Sequence, residues 1–165
     1  MIDLTFIPTY LGITMDPEIR FTRHILRTAN KTLRKLSILR KLRGSTWRSR
    51  PKTVKNAFCS IIRPLLEYAA PIWNPSSQSS KMDSVQHRAS KIIIGAVSST
   101  NNNKAEQECG LPPLENRRNL AIIKFTNRLR SNNMDHISTR AFNEGKGSTR
   151  LKPQLYSLIK ISEVG

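Results

Sequence analysis

The chain has 165 residues, a length that allows one modest domain or a piece of a larger protein and excludes two full domains. Its 28 lysines and arginines outnumber 11 aspartates and glutamates, and the formal charge of +17 indicates an anionic partner, either nucleic acid or an acidic membrane surface. No apolar run reaches the roughly 18 residues of a membrane span, no signal-peptide pattern is present, and Cys59 and Cys109 form no CxxC pair, so we expect a reducing intracellular compartment.

The first predicted element is a short strand or one arm of a hairpin in the sequence YLGITM. Leu11, Ile13 and Met15 alternate there with less apolar residues, which is the period of a half-buried strand. Asp16 and Pro17 follow it and predict the start of a helix, because an aspartate side chain can accept from the first free amides and proline suits the first helical position.

A first helix of roughly 26 residues is predicted between Pro17 and Gly44, since glycine commonly ends a helix. The helical wheel separates an apolar side from a basic side. The apolar side carries Phe21, Ile25, Ala29, Leu33, Leu36 and Leu39. The basic side carries Arg20, Arg23, Arg27, Lys31, Arg34 and Lys41.

Three more helices are predicted from apolar residues at helical spacing. The second helix starts near Pro51, and its apolar positions are Val54, Phe58, Ile61, Ile62, Leu65 and Ala69. The third helix has Met82, Val85, Ala89, Ile92 and Ile93. The fourth helix has Leu114, Ala121, Ile122, Phe125 and Leu129. Pro64 should bend the second helix and Gly95 should end the third, and a polar loop, Ser98 to Lys104, should follow. The predicted fold is mainly α, with a small helical bundle after the strand or hairpin and an irregular C-terminal tail.

The segment RPLLEYAAPIWNP, Arg63 to Pro75, is predicted to be the end of a core helix rather than a binding site. In this interpretation Pro71 and Pro75 end the helix, and Tyr68 and Trp73 cover the core against the third helix. Glu67 is expected to pair with an arginine.

Five segments in this order carry a resemblance to a known family: YLGITMD from Tyr10, LRKLRG from Leu39, RPLLEYAAPIW from Arg63, VQHRASKIIIGA from Val85 and GLPPLENRR from Gly110. Together they are similar to the region just after the palm in reverse transcriptases of non-LTR retrotransposons, particularly the jockey-like elements. The resemblance implies that residues 1–16 are a remnant of the end of the palm. It also implies that residues 17–130 are the helical thumb and connecting region, followed by a poorly ordered tail at 131–165.

The parent enzyme implied by the resemblance is an RNA-directed DNA polymerase that uses Mg²⁺. Two-metal polymerisation requires closely spaced carboxylates, which this family takes partly from an aromatic-x-Asp-Asp turn. The sequence contains no adjacent carboxylates, so we expect a fragment that binds no cofactor and does not polymerise DNA on its own.

The candidate site is a basic span without carboxylates, between Glu18 and Glu67. Cations on one side of a helix can neutralise phosphates, so the predicted partner is RNA, DNA or their hybrid, bound without sequence preference. Trp47 either stacks on a base or fills the gap between two helices. The proposed nucleic-acid-binding residues are Arg20, Arg23, Arg27, Lys31, Arg34, Lys41, Arg43, Trp47, Arg48 and Arg50. The expected location is the nucleus or the cytoplasm.

Two alternatives remain at this point. A cationic amphipathic helix can also lie on anionic lipid or enter an acidic groove of a partner protein, unless the rest of the chain buries Ile25, Leu33 and Leu36. The other alternative is a retroelement relic without a function. The histidines and cysteines do not have the spacing of metal ligands, so no metal site is expected.

Overall fold

The computed structural model describes residues 8–44, 49–131, 137, 139 and 140. Two short antiparallel strands, β1 and β2, form an N-terminal hairpin, and helices follow. The elements are β1 Thr9–Tyr10, β2 Ile13–Thr14, α1 Thr22–Arg43, α2 Pro51–Ala57, a π-helical turn Phe58–Ile62, α3 Arg63–Glu67, α4 Ala70–Trp73, α5 Ser80–Ile94, α6 Asn102–Cys109 and α7 Leu114–Ser131. This order confirms the mainly helical prediction with a short hairpin in front. The predicted tail lies almost entirely outside the described residues.

Of the two predicted forms, a strand or a hairpin, the chain adopts the hairpin because it reverses at Leu11 and Gly12. Both residues have positive φ, 47° and 81°, as in the tight turns that match strand twist. Tyr10 pairs with Ile13 across the turn. Ile13 is buried, whereas Leu11 and Met15 are exposed, so the predicted burial on alternate positions is wrong for the latter two.

The start of α1 was predicted too early. Asp16 does not cap the helix: its Oδ1 accepts from the amide of Phe21 at 3.1 Å and its carbonyl accepts from the amide of Ile19 at 2.9 Å. These bonds close a loop, and Phe21, with φ of 55°, is the residue after which the helix begins. The end at Gly44 is confirmed, since its amide donates to the Arg40 carbonyl at 2.8 Å.

The apolar side of α1 forms the centre of the core. Ile25, Ala29, Leu36 and Leu39 are buried and Leu33 is partly buried, as predicted from the helical wheel. The helix packs mainly against α5, and also against α2 and α3. The charged side of α1 therefore has to face away from these helices.

The second predicted helix is interrupted, as Pro64 indicated. A π-helical turn precedes Pro64, and Pro64 lies in the first turn of α3. Proline has no amide hydrogen, but an amide in the first turn of a helix has no partner within that helix, so no hydrogen bond of α3 is lost. Val54, Phe58, Ile62 and Leu66 are buried. The wider turn rotates the residues within it, and Ile61, predicted to face the core, is 43% exposed.

Helix α6 was missed because its asparagine-rich sequence has the composition of a loop. The Oδ1 atom of Asn101 accepts from the amides of Asn103 at 3.0 Å and Lys104 at 3.3 Å, which caps the helix. Gly110, with φ of 62°, ends it. Helix α5 ends at Gly95 as predicted. In α7, Phe125 is 40% exposed instead of buried.

The segment Arg63 to Pro75 builds the core, as predicted, but with different roles for two residues. Trp73 is fully buried and its Nε1 donates to the Tyr68 carbonyl at 2.7 Å. Tyr68 does not cover the core: it is 52% exposed, and its hydroxyl donates to the Leu11 carbonyl at 2.7 Å, which ties the hairpin to the helices. Pro71 starts α4 instead of ending a helix.

Two leucines of α1 test the division of the helix into a buried and an exposed side. Leu36 is 1% exposed and Leu26 is 40% exposed. We expect Leu36→Ala to lower the free energy of unfolding by about 3 kcal/mol, because it removes buried methyl groups and leaves a cavity. Leu26→Ala should cost about 1 kcal/mol or less. Urea unfolding followed by circular dichroism measures both, and equal losses would contradict the assigned orientation.

His24 makes the attachment of the hairpin sensitive to pH. The Thr14 amide donates to its Nδ1 at 3.3 Å, and burial, with a smaller effect of Arg27, lowers the pKa of His24 below its ordinary 6.5. The unfolded chain therefore binds this proton more readily, so stability should fall as the pH drops below about 6.5.

His24→Asn keeps an acceptor without the titrating ring. The variant should lose less stability than the parent chain between about pH 7.5 and about pH 5.5 in parallel urea titrations. An equal loss in both proteins would show that His24 does not cause the effect.

Candidate nucleic-acid interface

The outward face of α1 is defined here as Arg23, Arg27, Lys31, Arg34 and Lys41. All five side chains are exposed, and α1 itself contains no acidic residue. Within the described residues, none of the five is paired with a carboxylate. The face is therefore a strip of positive charge without internal neutralisation.

The strip has a length that suits a nucleic-acid backbone. At 1.5 Å rise per residue, Arg23 and Lys41 are about 27 Å apart along the helix axis. One turn of duplex DNA covers roughly 34 Å. The cations thus cover a length slightly shorter than one duplex turn. The opposite side of the helix that carries them is buried in the core.

Three other predicted site residues lie in different environments. Arg20 is exposed and its Nε lies 2.7 Å from the Glu18 carboxylate, so its charge is locally compensated. Arg43 is half-buried and packs against the end of α5, where a Cβ on Gly95 would lie 3.2 Å from its Nη2. Arg50 is exposed at the start of α2. The structure brings only part of the predicted set onto one surface.

Trp47 and Arg48 lie outside the described residues. The stacking of Trp47 on a base and the phosphate contact of Arg48 therefore stay predictions.

Several basic residues serve the scaffold instead of a surface. Arg118 is 2% exposed, donates to both carboxylate oxygens of Asp83 and to Asn74 Oδ1 at 2.6 Å, and lies over the Trp73 ring at 5.8 Å. This set joins α4, α5 and α7. Its positive charge is neutralised in the interior and is not available to a ligand.

Glu67 also pairs with an arginine, as predicted. Its partner is Arg117, which forms two hydrogen bonds to the carboxylate, one of them 3.0 Å long from Nη2. The bond to Glu67 raises the pKa of Arg117. Lys55 likewise serves the structure, because its Nζ donates to the Gly110 carbonyl at 2.9 Å.

A second basic surface contains none of the predicted site residues. Arg40 of α1 lies beside Arg88 and Lys91 of α5, at a cleft between the two helices. The available signal was the sequence HRASK, which places Arg88 and Lys91 three residues apart, on one side of the third helix. The meeting with Arg40 depends on how the helices pack, and no local pattern indicates it.

The cysteines and histidines form no cluster in the described part of the chain. No three His, Cys, Asp or Glu side chains are grouped there as metal ligands would be. Cys109 is buried, its Sγ donates to the Ser90 carbonyl at 3.2 Å, and burial raises the pKa of its thiol to about 11. Cys59 is half-buried.

Comparisons with family models, with curated proteins and with solved structures found no match to this chain. The resemblance to reverse transcriptases therefore rests on the five sequence segments, which occupy the hairpin, the end of α1, α3 with α4, α5, and the start of α7. Among the described residues, no helix combines the length and apolar character of a membrane span.

The scaffold under the interface can be tested through Asp83. Asp83→Ala leaves the buried Arg118 without its carboxylate, and we expect the free energy of unfolding to fall by about 3 to 5 kcal/mol. The matched change, Glu18→Ala, breaks an exposed pair with Arg20 and should cost about 1 kcal/mol or less. Chemical unfolding of both variants checks the difference, and a small effect of Asp83→Ala would contradict the role given to the buried pair.

Proposed function

We propose that this chain is the thumb and connecting region of a non-LTR retrotransposon reverse transcriptase, and that the outward face of α1 binds the backbone of RNA, DNA or their hybrid. The observation that carries the proposal is the row of five exposed cations without a carboxylate partner in the described residues, on a helix whose opposite side is buried. Binding is independent of base sequence.

The row of cations on this face suits a polymer with repeated phosphate groups better than a single small anion. Each lysine or arginine that contacts a phosphate releases condensed counterions, so affinity comes from several weak contacts and depends steeply on salt. The guanidinium groups of Arg23, Arg27 and Arg34 can each hold two phosphate oxygens. A rigid helix presents these groups together and loses less conformational entropy than a flexible basic tail.

The burial of α1 argues against the membrane-surface alternative. An amphipathic helix binds a bilayer by inserting its apolar side. Ile25 is 0% exposed, Leu36 is 1% exposed and Leu33 is partly buried against the core, so full insertion of this side would require opening the core. A partner that needs only the charged side fits the structure as it is.

The order of the five matching segments supports the assignment to the reverse transcriptase family. In this proposal the catalytic palm and its Mg²⁺-binding carboxylates belong to the parent polymerase, and the fragment alone does not synthesise DNA. Its place of action would be the nucleus or the cytoplasm. Genomic DNA upstream of Met1 offers a direct check: an open frame with an aromatic-x-Asp-Asp turn would support the assignment, whereas an unrelated coding sequence joined in frame would contradict it.

The triple variant Arg27→Glu, Arg34→Glu, Lys41→Glu tests the binding face. With about five phosphate contacts, the logarithm of the affinity should fall with the logarithm of the salt concentration with a slope of roughly −4.5 for duplex DNA. The variant should lose most of the affinity, and its slope should be shallower by about 3. Fluorescence anisotropy with labelled duplex DNA, single-stranded RNA and hybrid over a salt series measures both quantities.

The control variant Lys104→Glu, Lys124→Glu, Arg128→Glu makes the same change in charge at exposed positions on α6 and α7. It should bind more strongly than the α1 variant at every salt concentration. Equal losses would indicate attraction to total charge alone and contradict a defined face. Flotation with anionic vesicles that exceeds binding to nucleic acid would favour the membrane alternative.

A further inference from the structure

A cleft of about 670 Å³ opens between the second half of α1 and α5, beside the loop that leads to α6. Arg40 contributes to it from α1, and His87, Arg88 and Lys91 contribute from α5. Ser98 and Asn102 line it from the loop and from α6. Two arginines and one lysine thus line one concave space.

The charge of the cleft is not neutralised by its own walls. Among the described residues, no carboxylate lines it, and neither Arg40 nor Arg88 is paired with one. One lining residue, His87, contacts a carboxylate: its Nε2 lies 3.6 Å from Glu106 Oε1. Glu106 is buried and accepts a hydrogen bond from Gln86 Nε2 at 3.0 Å, so it is already engaged in the packing of α5 against α6.

The lysine of the cleft is held in place before any ligand binds. Lys91 Nζ donates to the Ser98 carbonyl at 2.7 Å. This bond joins the end of α5 to the loop and uses one of the three ammonium donors. Two ammonium donors of Lys91 remain for a ligand, beside the two guanidinium groups. Because the bond to Ser98 already fixes this side chain, it loses less conformational entropy when a ligand binds.

The cleft is separate from the outward face of α1. At 3.6 residues per turn, Arg34 and Arg40 lie roughly 120° apart around the helix axis. Arg40 therefore stands on the flank next to α5, while Arg34 faces away from the bundle. A ligand in the cleft contacts both helices, whereas a ligand on the outward face contacts α1.

We propose that this cleft is a binding site for a phosphate group. Arginine forks match the oxygens of a phosphoryl group, lysine adds a point charge, and the Ser98 hydroxyl and Asn102 amide offer neutral hydrogen bonds. No phenylalanine, tyrosine or tryptophan is among the lining residues that the structure describes, so recognition rests mainly on charge. The volume is that of an ordinary ligand pocket and exceeds the need of a single orthophosphate.

The phosphate can belong to a nucleic-acid strand or to a free phosphorylated small molecule, and the site does not rest on the function proposed for the outward face. Inorganic pyrophosphate is the probe, titrated into the full chain at low salt by isothermal calorimetry. We expect saturable binding that Arg40→Gln, Arg88→Gln weakens by about tenfold or more, as expected from losing two charge-assisted contacts.

The matched control is Arg23→Gln, Arg27→Gln, which removes the same charge from the outward face. It should change pyrophosphate affinity by about twofold or less while weakening nucleic-acid binding. Equal weakening by both pairs, or no saturable binding by the parent chain, would overturn the cleft proposal. The cleft variant should lose pyrophosphate binding and keep normal DNA binding by the outward face. This result would show that the cleft and the outward face are two separate sites.

A second measurement needs no variant. Pyrophosphate should shift the backbone amide signals of Arg40, Arg88 and Ser98 in a nitrogen-proton correlation spectrum, and shifts confined to other regions would overturn the assignment. Adding a single-stranded oligonucleotide then identifies the source of the phosphate. Reversal of those shifts assigns the site to a nucleic-acid strand, and their persistence assigns it to a free phosphorylated molecule.

Discussion

The burial of Ile25, Leu36 and Leu39 against α5 and the α2–α3 segment is the contact on which the other features of this protein depend. It fixes the rotation of α1 about its own axis, because an amphipathic helix has only one apolar side to bury. The rotation in turn decides which cations face solvent and which stand beside α5. A slip of one residue along the contact would turn each side chain by about 100° and disperse both basic surfaces.

A formal charge of +17 opposes this compact arrangement, because like charges repel one another more strongly when the chain is folded. Ion pairs at particular places in the fold reduce this repulsion. Two carboxylates are placed against arginines of the scaffold: Asp83 faces the buried Arg118, and the partly buried Glu67 faces Arg117. Interior charges need partners because desolvation is costly. The surface of α1 receives no such partner in the described residues, so repulsion accumulates there and an anionic ligand would relieve it.

The two basic surfaces differ in shape, and this suggests different uses. The outward face is convex and about 27 Å long, which suits a polymer backbone that makes repeated, weak contacts. The cleft is concave and brings Arg40, Arg88 and Lys91 around a single volume, which suits one phosphate group held from several sides. A strand on the outward face and a phosphate in the cleft would share α1 as their common support, so the rigidity of this helix matters to both proposals.

The sequence by itself determined the features that depend on local pattern: the amphipathic character of α1, the helix ends at Gly44 and Gly95, and the interruption at Pro64. Apolar period, the φ freedom of glycine and the missing amide of proline act within a few residues, so they can be read without the fold. Only the tertiary structure decided which arginine meets which carboxylate, that Asp16 closes a loop, and that Arg40 joins Arg88. The arginine pairings depend on contacts between helices distant in sequence, and the energy of a charge depends on the burial and partners that packing provides. The loop at Asp16 is local, but the same residue types could also have capped a helix, so the pattern alone did not choose between the two.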